Sequence, residues 1–175
     1  MKLLFTLLML IPLISYSQKF KSDSSYVRFF SEAPLENIEA VNSKAVSIID
    51  LSNGNFVFSI PVNQFHFDKS LMEEHFNENY LETEKYPKAT FKGSFKPSSL
   101  VDGAQTVTAS GDFNIHGQTR PVDIEGTLTK SDNQVLVKAT FTIKIVEYKI
   151  KIPKAVFYNI AEEVEVTVYF EYKEL

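Results

Sequence analysis

Cysteine and tryptophan are absent from the 175 residues, and glycine occurs only six times. Without cysteine there is no disulfide framework, no thiolate metal site and no cysteine nucleophile. A lipid anchor attached through an N-terminal cysteine is excluded as well. The glycines are isolated from one another, so no phosphate-cradling loop is present. Positive charge is not in excess: 18 Lys and Arg face 22 Asp and Glu, a net charge of −4. The electrostatic footprint of a nucleic-acid binder is therefore missing. No linker-like stretch, charge block or fixed-period repeat divides the chain, and its length points to one domain or at most two small ones. What is present is an ordinary globular composition, 44% apolar, with 15 Phe and 8 Tyr. That balance suits a packed β-domain.

The longest apolar run lies at the start. Lys2 precedes a run from Leu3 to Ile14 interrupted only by Thr6 and Pro12, and Ser15-Tyr16-Ser17 places small residues before Gln18. This order of basic, apolar and small residues reads as a secretory signal peptide over residues 1–17. The run is shorter than the roughly 20 residues that span a bilayer. The expected mature chain, 18–175, carries 17 basic and 22 acidic residues, a net charge of −5. A cysteine-free exported chain suits a periplasmic or secreted setting.

Period-two alternation dominates the rest. Val107, Ala109, Gly111, Phe113 and Ile115 share one face, and Thr106, Thr108, Ser110, Asp112 and Asn114 the other. The same alternation recurs from Val122, from Val135 and from Val164. Eight strands are predicted, at about 24–31, 43–51, 55–63, 89–96, 105–115, 119–129, 134–146 and 163–172. Asn53-Gly54 reads as a tight turn. One segment breaks the pattern: in 68–80, Leu71, Met72, His75 and Phe76 fall at helical spacing. Asp68 or Ser70 is placed to cap that helix, and Ser70 with Glu73 fits a capping box. Residues 156–160 read as a helical turn or an irregular crossover.

One apolar and one wet face per strand marks an antiparallel sheet. Eight such strands close without leaving edges, at the barrel size where the interior either fills with side chains or holds one small ligand. Gly93, Ala109, Gly111, Gly126 and Ala139 all point inward, which favours a hollow. The competing reading is that the glycines only let the sheet bend. The expected apolar wall comprises Phe56, Phe58, Ile60 and Phe91, with Phe95, Phe113, Phe141 and Val166. Such a lining suits a long apolar tail, each buried methylene contributing ~0.8 kcal/mol.

Four segments, FVFSIPVNQFHF (56–67), MEEHFNENYLETEKYPKATFKG (72–93), GDFNIHGQTRPV (111–122) and YKIKIP (148–153), follow one another in an order that resembles the YceI-like, polyisoprenoid-binding family. The resemblance covers nearly the whole mature chain. It implies an eight-stranded, lipocalin-like antiparallel barrel with one short helix near its mouth. It also implies a non-catalytic, exported protein that binds isoprenoid quinones, polyprenyl chains or fatty-acyl-type lipids. The segment Glu147-Tyr148-Lys149-Ile150 is more compact than in many members, so cavity depth and ligand identity do not carry over.

Polar candidates are few. His66, His75 and His116 are the only histidines, and Glu73-Glu74-His75 lacks the second His of a zinc-protease helix. A metal-dependent hydrolase built on these three is one rival reading; an envelope module with a filled core is another. No G-x-S-x-G elbow occurs, and no cofactor is called for. His75, Phe76, Tyr80, Tyr86 and Arg120 are the expected mouth and lid residues. Arg120 is read either as a partner for a ligand head group or as a structural turn residue. No partner class besides the lipid is implied, and self-association into a homodimer is left open.

Overall fold

The computed structural model describes residues 18–32, 37–96, 101–131, 134–151 and 161–175. The leader expected at 1–17 and the turn expected at 156–160 both lie outside the described residues. Among the described residues ten strands occur: β1 (Lys19–Ser31), β2 (Ile38–Asn42), β3 (Val46–Asp50), β4 (Asn55–Pro61), β5 (His66–Phe67), β6 (Lys88–Ser94), β7 (Gly103–Ile115), β8 (Gln118–Ser131), β9 (Gln134–Lys144) and β10 (Glu163–Glu174). They form one antiparallel sheet that closes on itself where β1 pairs with β10 along ten residue pairs, Phe20–Glu174 to Phe30–Glu165.

The ten strands make eight staves, because two staves are broken. Lys19–Lys21 of β1 pair with β3, while Val27–Ser31 pair with β2, so β2 and β3 run end to end. Across from them β4 pairs with β3 and β5 with β2, making a second interrupted stave. The strand expected at 43–51 is β3, Val46–Asp50, and the short strands β2 and β5 that complete the broken staves were not among those expected. Asn42 sits at the break, fully buried. Its amide donates to the Pro61 carbonyl at 2.7 Å, and its side-chain oxygen accepts from the Lys44 N–H at 2.7 Å. Those bonds replace ladder bonds that the kink removes.

The β3–β4 connection is not a two-residue turn. Residues 51–54 form a longer loop in which Gly54 N–H donates to the Asp50 carbonyl at 2.8 Å. The Asp50 carboxylate accepts from the Ser52 hydroxyl, the Ser52 N–H and the Asn53 amide, and the Ser52 hydroxyl bond leads in holding its pKa below the usual value.

The helical segment forms as its spacing suggests. Helix α1 (Ser70–His75) runs into a wider turn, Phe76–Tyr80, closed by the Leu81 N–H on the Phe76 carbonyl at 2.9 Å. The expected capping box is absent: Lys69 is the cap residue and no side chain caps the end. Glu73 instead reaches back to the Phe67 N–H at 3.1 Å, tying α1 to β5.

Packing divides the barrel into two layers. At one end Leu128, Val135, Phe170 and Tyr172 are almost completely buried, with Phe20, Ile49 and Phe56 among them. Tyr172 donates its hydroxyl to Ser47 Oγ at 2.8 Å, so the buried phenol is satisfied. Burial pushes that hydroxyl's pKa far up. Toward the other end the inward side chains of β7, β9 and β10 (Val107, Ala109, Phe141, Ile143, Val166 and Val168) are only partly buried. They face a hollow.

Candidate functional site, a cavity in the barrel

The hollow has a volume of about 360 Å³. Its floor is aromatic: Phe58, Phe91 and Phe170, with Phe58 and Phe170 rings 5.0 Å apart and nearly perpendicular. Its walls are aliphatic and small, including Ala109, Gly126, Val137 and Ala139. Its far end is roofed by Met72, His75, Phe76 and Tyr80 from α1 and the turn after it. Among the described lining residues there is no Lys, Arg, Asp or Glu; the polar side chains are Ser31, His75 and Tyr80. Ser31 Oγ already accepts from the Ala161 N–H at 3.0 Å. Burial pushes the Tyr80 hydroxyl's pKa up. Such a lining offers dispersion contacts and very little polar recognition.

The lid helix is fastened by rings. Phe76 stacks on Phe29 at 5.4 Å and 16°, and meets Phe65 at 5.8 Å and Phe67 at 5.0 Å. Phe29 also contacts Phe65 and Phe67 edge-on. Three rings on β1, β5 and the loop between β4 and β5 thus grip Phe76 and hold the lid, each pair adding about 1 kcal/mol beyond area burial.

A second fastening lies beside it. The turn His116-Gly117 between β7 and β8, the loop after the lid helix and the 3-10 turn Ile145–Tyr148 converge on the His116 ring. His116 is 9% exposed. Its Nε2 bonds Glu82 Oε2 at 2.9 Å and its Nδ1 the Tyr148 carbonyl at 3.1 Å. Each nitrogen faces an oxygen acceptor, and each bond is made when that nitrogen carries its proton. Tyr86 packs edge-on against the ring at 4.7 Å. Gly117, at φ +69°, lies beneath it; a Cβ there would stand 2.6 Å from Tyr86 Cε1. Glu82, His116 and Lys149, the positive-φ non-glycine residues among those described, all belong to this junction. Each such backbone costs about 1 kcal/mol, which surrounding contacts must offset.

The expected wall residues separate by layer. Phe58, Ile60, Phe91, Phe113, Phe141 and Val166 line the cavity. Phe56 and Phe95 do not: both are buried in the core, and Phe56 packs beneath the floor against Phe91 at 4.8 Å. At the lid, His75, Phe76 and Tyr80 line the cavity, whereas Tyr86 belongs to the His116 junction. Arg120 is exposed, and its guanidinium donates to the Glu147 carbonyl at 3.2 and 3.3 Å. The histidines are apart: His66 stands 3.6 Å from Glu73, and among the described residues no three His, Asp or Glu side chains are grouped to hold a metal. Alternation alone held the signal for Phe29, Phe65 and Phe67, which the sequence reading passed over.

The inward glycines play two different parts. Gly93 and Gly111 are paired across β6 and β7, and neither lines the cavity. A Cβ on Gly93 would stand 2.0 Å from the Ser110 carbonyl oxygen, and one on Gly111 2.4 Å from that of Lys92. These two let the backbones cross closely at a bend. Ala109 and Ala139 do contribute room to the hollow, and Gly126 does both: it lines the hollow, and a Cβ on it would stand 2.7 Å from the Lys138 carbonyl oxygen across the β8–β9 ladder.

The model of the YceI-like domain matches residues 19–172, nearly every residue of the barrel. The chain belongs to the YceI-like family. Solved structures with the same fold include a polyisoprenoid-binding domain from Saccharophagus degradans implicated in plant cell wall breakdown, at a TM-score of 0.79 and 17% identity over 91% of this chain and 100% of that one. Burkholderia cenocepacia BcnA superposes at 0.72 with 17% identity, covering 84% of this chain and 95% of that one. A Campylobacter jejuni YceI protein gives 0.61 and 11% identity, over 97% and 92%. No curated protein matches the sequence. At these identities the structures share the YceI-like fold with this chain, the closed eight-stave barrel with one short helix. Among the described residues no helix is long and apolar enough to cross a membrane.

Proposed function

We propose that this YceI-like chain is an exported, non-catalytic binding protein for an isoprenoid or other long-chain amphiphile. The tail lies in the cavity and the polar head sits beneath the lid helix, near His75 and Tyr80. The observation that carries this is the hollow itself: about 360 Å³ lined by carbon-rich side chains inside an otherwise packed barrel. A cavity of that lining stays dry and gains dispersion contacts when hydrocarbon fills it. The polyisoprenoid-binding relative from Saccharophagus degradans, with its shared fold, supports the same ligand class. The leader-like segment at 1–17 supports export to the periplasm or beyond.

The test is direct. Solvent extraction of protein purified under native conditions, followed by mass spectrometry, should release a lipid. Stripped protein should then gain thermal stability as a prenyl or acyl amphiphile rises above its Kd. Stripped protein that no such amphiphile stabilises would rule the reading out and leave a structural envelope module in its place.

A further inference from the structure

One seam of the barrel is only half sewn. β7 and β8 pair from Gly103–Lys130 to Ile115–Gln118, and β9 and β10 from Gln134–Lys173 to Lys144–Glu163. Between those two hairpins, β8 and β9 pair only from Ser131–Gln134 to Gly126–Ala139. Beyond that point Gln118–Glu125 and Thr140–Lys144 remain strands, with no ladder between them. The two-residue turn His116-Gly117 makes Ile115 and Gln118 a hydrogen-bonded pair, so alternate β8 residues, 119, 121, 123 and 125, turn their backbone groups toward β9. Pro121 falls in that set. Proline, having no N–H, is tolerated in a strand where that side lacks a partner. The sequence thus treats this stretch of β8 as an edge.

Backbone polar groups along a seam with no ladder need water, because a dry one would leave them orphaned at a cost for each. Where the ladder ends, the wall is built of small residues. Gly126 and Ala139 line the cavity and also a shallow dip on the barrel's outer face, together with Val168. Inward side chains flanking the seam (Ile124, Phe141 and Ile143) line the cavity. The seam is bridged at its open end rather than sealed along its length. The 3-10 turn at 145–148 reaches over to the β7–β8 hairpin, where His116 and Arg120 bond the carbonyls of Tyr148 and Glu147.

Capacity gives the seam a use. At roughly 30 Å³ for each water-sized group, the hollow takes about a dozen methylene-sized groups. The floor of Phe58, Phe91 and Phe170 rests on packed core and offers no way down, and the lid end is where the polar head belongs. We propose that the β8–β9 seam is a side opening through which the far end of a longer tail leaves the barrel. The ligand class is therefore an amphiphile whose tail exceeds the cavity, its last segment lying along Ile124, Gly126, Ala139, Phe141 and Ile143. This rests on the lipid-binding reading above.

The test uses two amphiphiles with the same head and a photoreactive diazirine on the terminal carbon, one tail of about ten carbons and one of about thirty, chosen either side of the capacity given above. Each is bound to the stripped protein, irradiated and mapped by peptide mass spectrometry. The short probe should label the floor at Phe58, Phe91 or Phe170. The long probe should label residues 119–126 and 139–144. If the short probe binds and the long one does not, or the long one labels only the floor or the lid helix, the side opening is wrong while the lipid-binding reading stands. If neither probe binds, both fall.

Discussion

At the residue scale, two buried polar side chains carry stability that their neighbours in sequence do not announce. His116 joins the loop after the lid helix to the 3-10 turn that follows β9, through bonds to Glu82 and to the Tyr148 carbonyl. His116→Ala removes both bonds from a mostly buried site and should destabilise the fold by about 2 kcal/mol in urea titration. A change within error would show the junction to be incidental. Tyr172 has a different signature. Its hydroxyl is held un-ionised by burial, so its folded pKa lies well above the value of about 10 expected in the unfolded chain. Raising the pH past about 10 ionises the unfolded state first, and stability falls by up to ~1.4 kcal/mol per pH unit from this group alone. Below that pH the contribution is fully present. Tyr172→Phe should flatten the alkaline slope of stability by that amount, read from unfolding curves between neutral and strongly alkaline pH, and an unchanged slope would contradict the assignment.

At the scale of elements, the barrel is shaped by places where strands depart from regularity. β6 and β7 cross at Gly93 and Gly111, where neither backbone leaves room for a side chain. Gly111→Ala pushes a methyl against the Lys92 carbonyl and should cost about 3 kcal/mol, with loss of amide-exchange protection along β6. A stability unaffected by the methyl would mean that the crossing relaxes freely. The lid helix is short, and its hold on the barrel comes from tertiary contact. Phe76→Ala removes the ring that Phe29, Phe65 and Phe67 grip. It should speed release of a bound amphiphile several-fold in a stopped-flow displacement assay while leaving the barrel folded. Release at the wild-type rate would make the helix a passive cover. The expected capping box failed for a related reason. A carboxylate that bonds the Phe67 N–H anchors α1 to the sheet, and one that bonds its own helix end does not.

At the scale of the whole molecule, the division into a packed layer and a hollow one is what makes the fold a container. Val166 lies on the hollow side and lines the cavity wall. Val166→Trp puts a large ring into existing space, so the unliganded protein should keep its thermal midpoint within a few degrees. Its stabilisation by added amphiphile should disappear. Retained ligand-dependent stabilisation in that variant would place the binding site elsewhere. Much of this architecture was readable beforehand. Alternation told which residues of β7, β8, β9 and β10 face inward, and the helical spacing of Leu71, Met72, His75 and Phe76 marked the lid. Alternation cannot tell height along the barrel axis. Phe56 and Phe58 share one inward face of β4 and meet at 5.5 Å, yet only Phe58 borders the hollow. Strand tilt and stagger decide that difference, and they arise only when the sheet closes.

The amino-acid order by itself determined the long strands, their inward faces, the lid and the apolar character of the interior, because these depend on periodicities of two and of about 3.6 residues. The tertiary structure alone decided four things. It split two staves, one after Asn42 and one after Pro61, and it set Gly93 against Gly111 instead of opening space with them. It brought Glu82, His116 and Tyr148 together from distant parts of the chain, and it left β8 and β9 apart beyond Gly126 and Ala139. Each is a consequence of bending a twisted sheet into a closed wall. The geometry of closure fixes which backbones must approach and which must separate, and no local pattern in the chain encodes that distance.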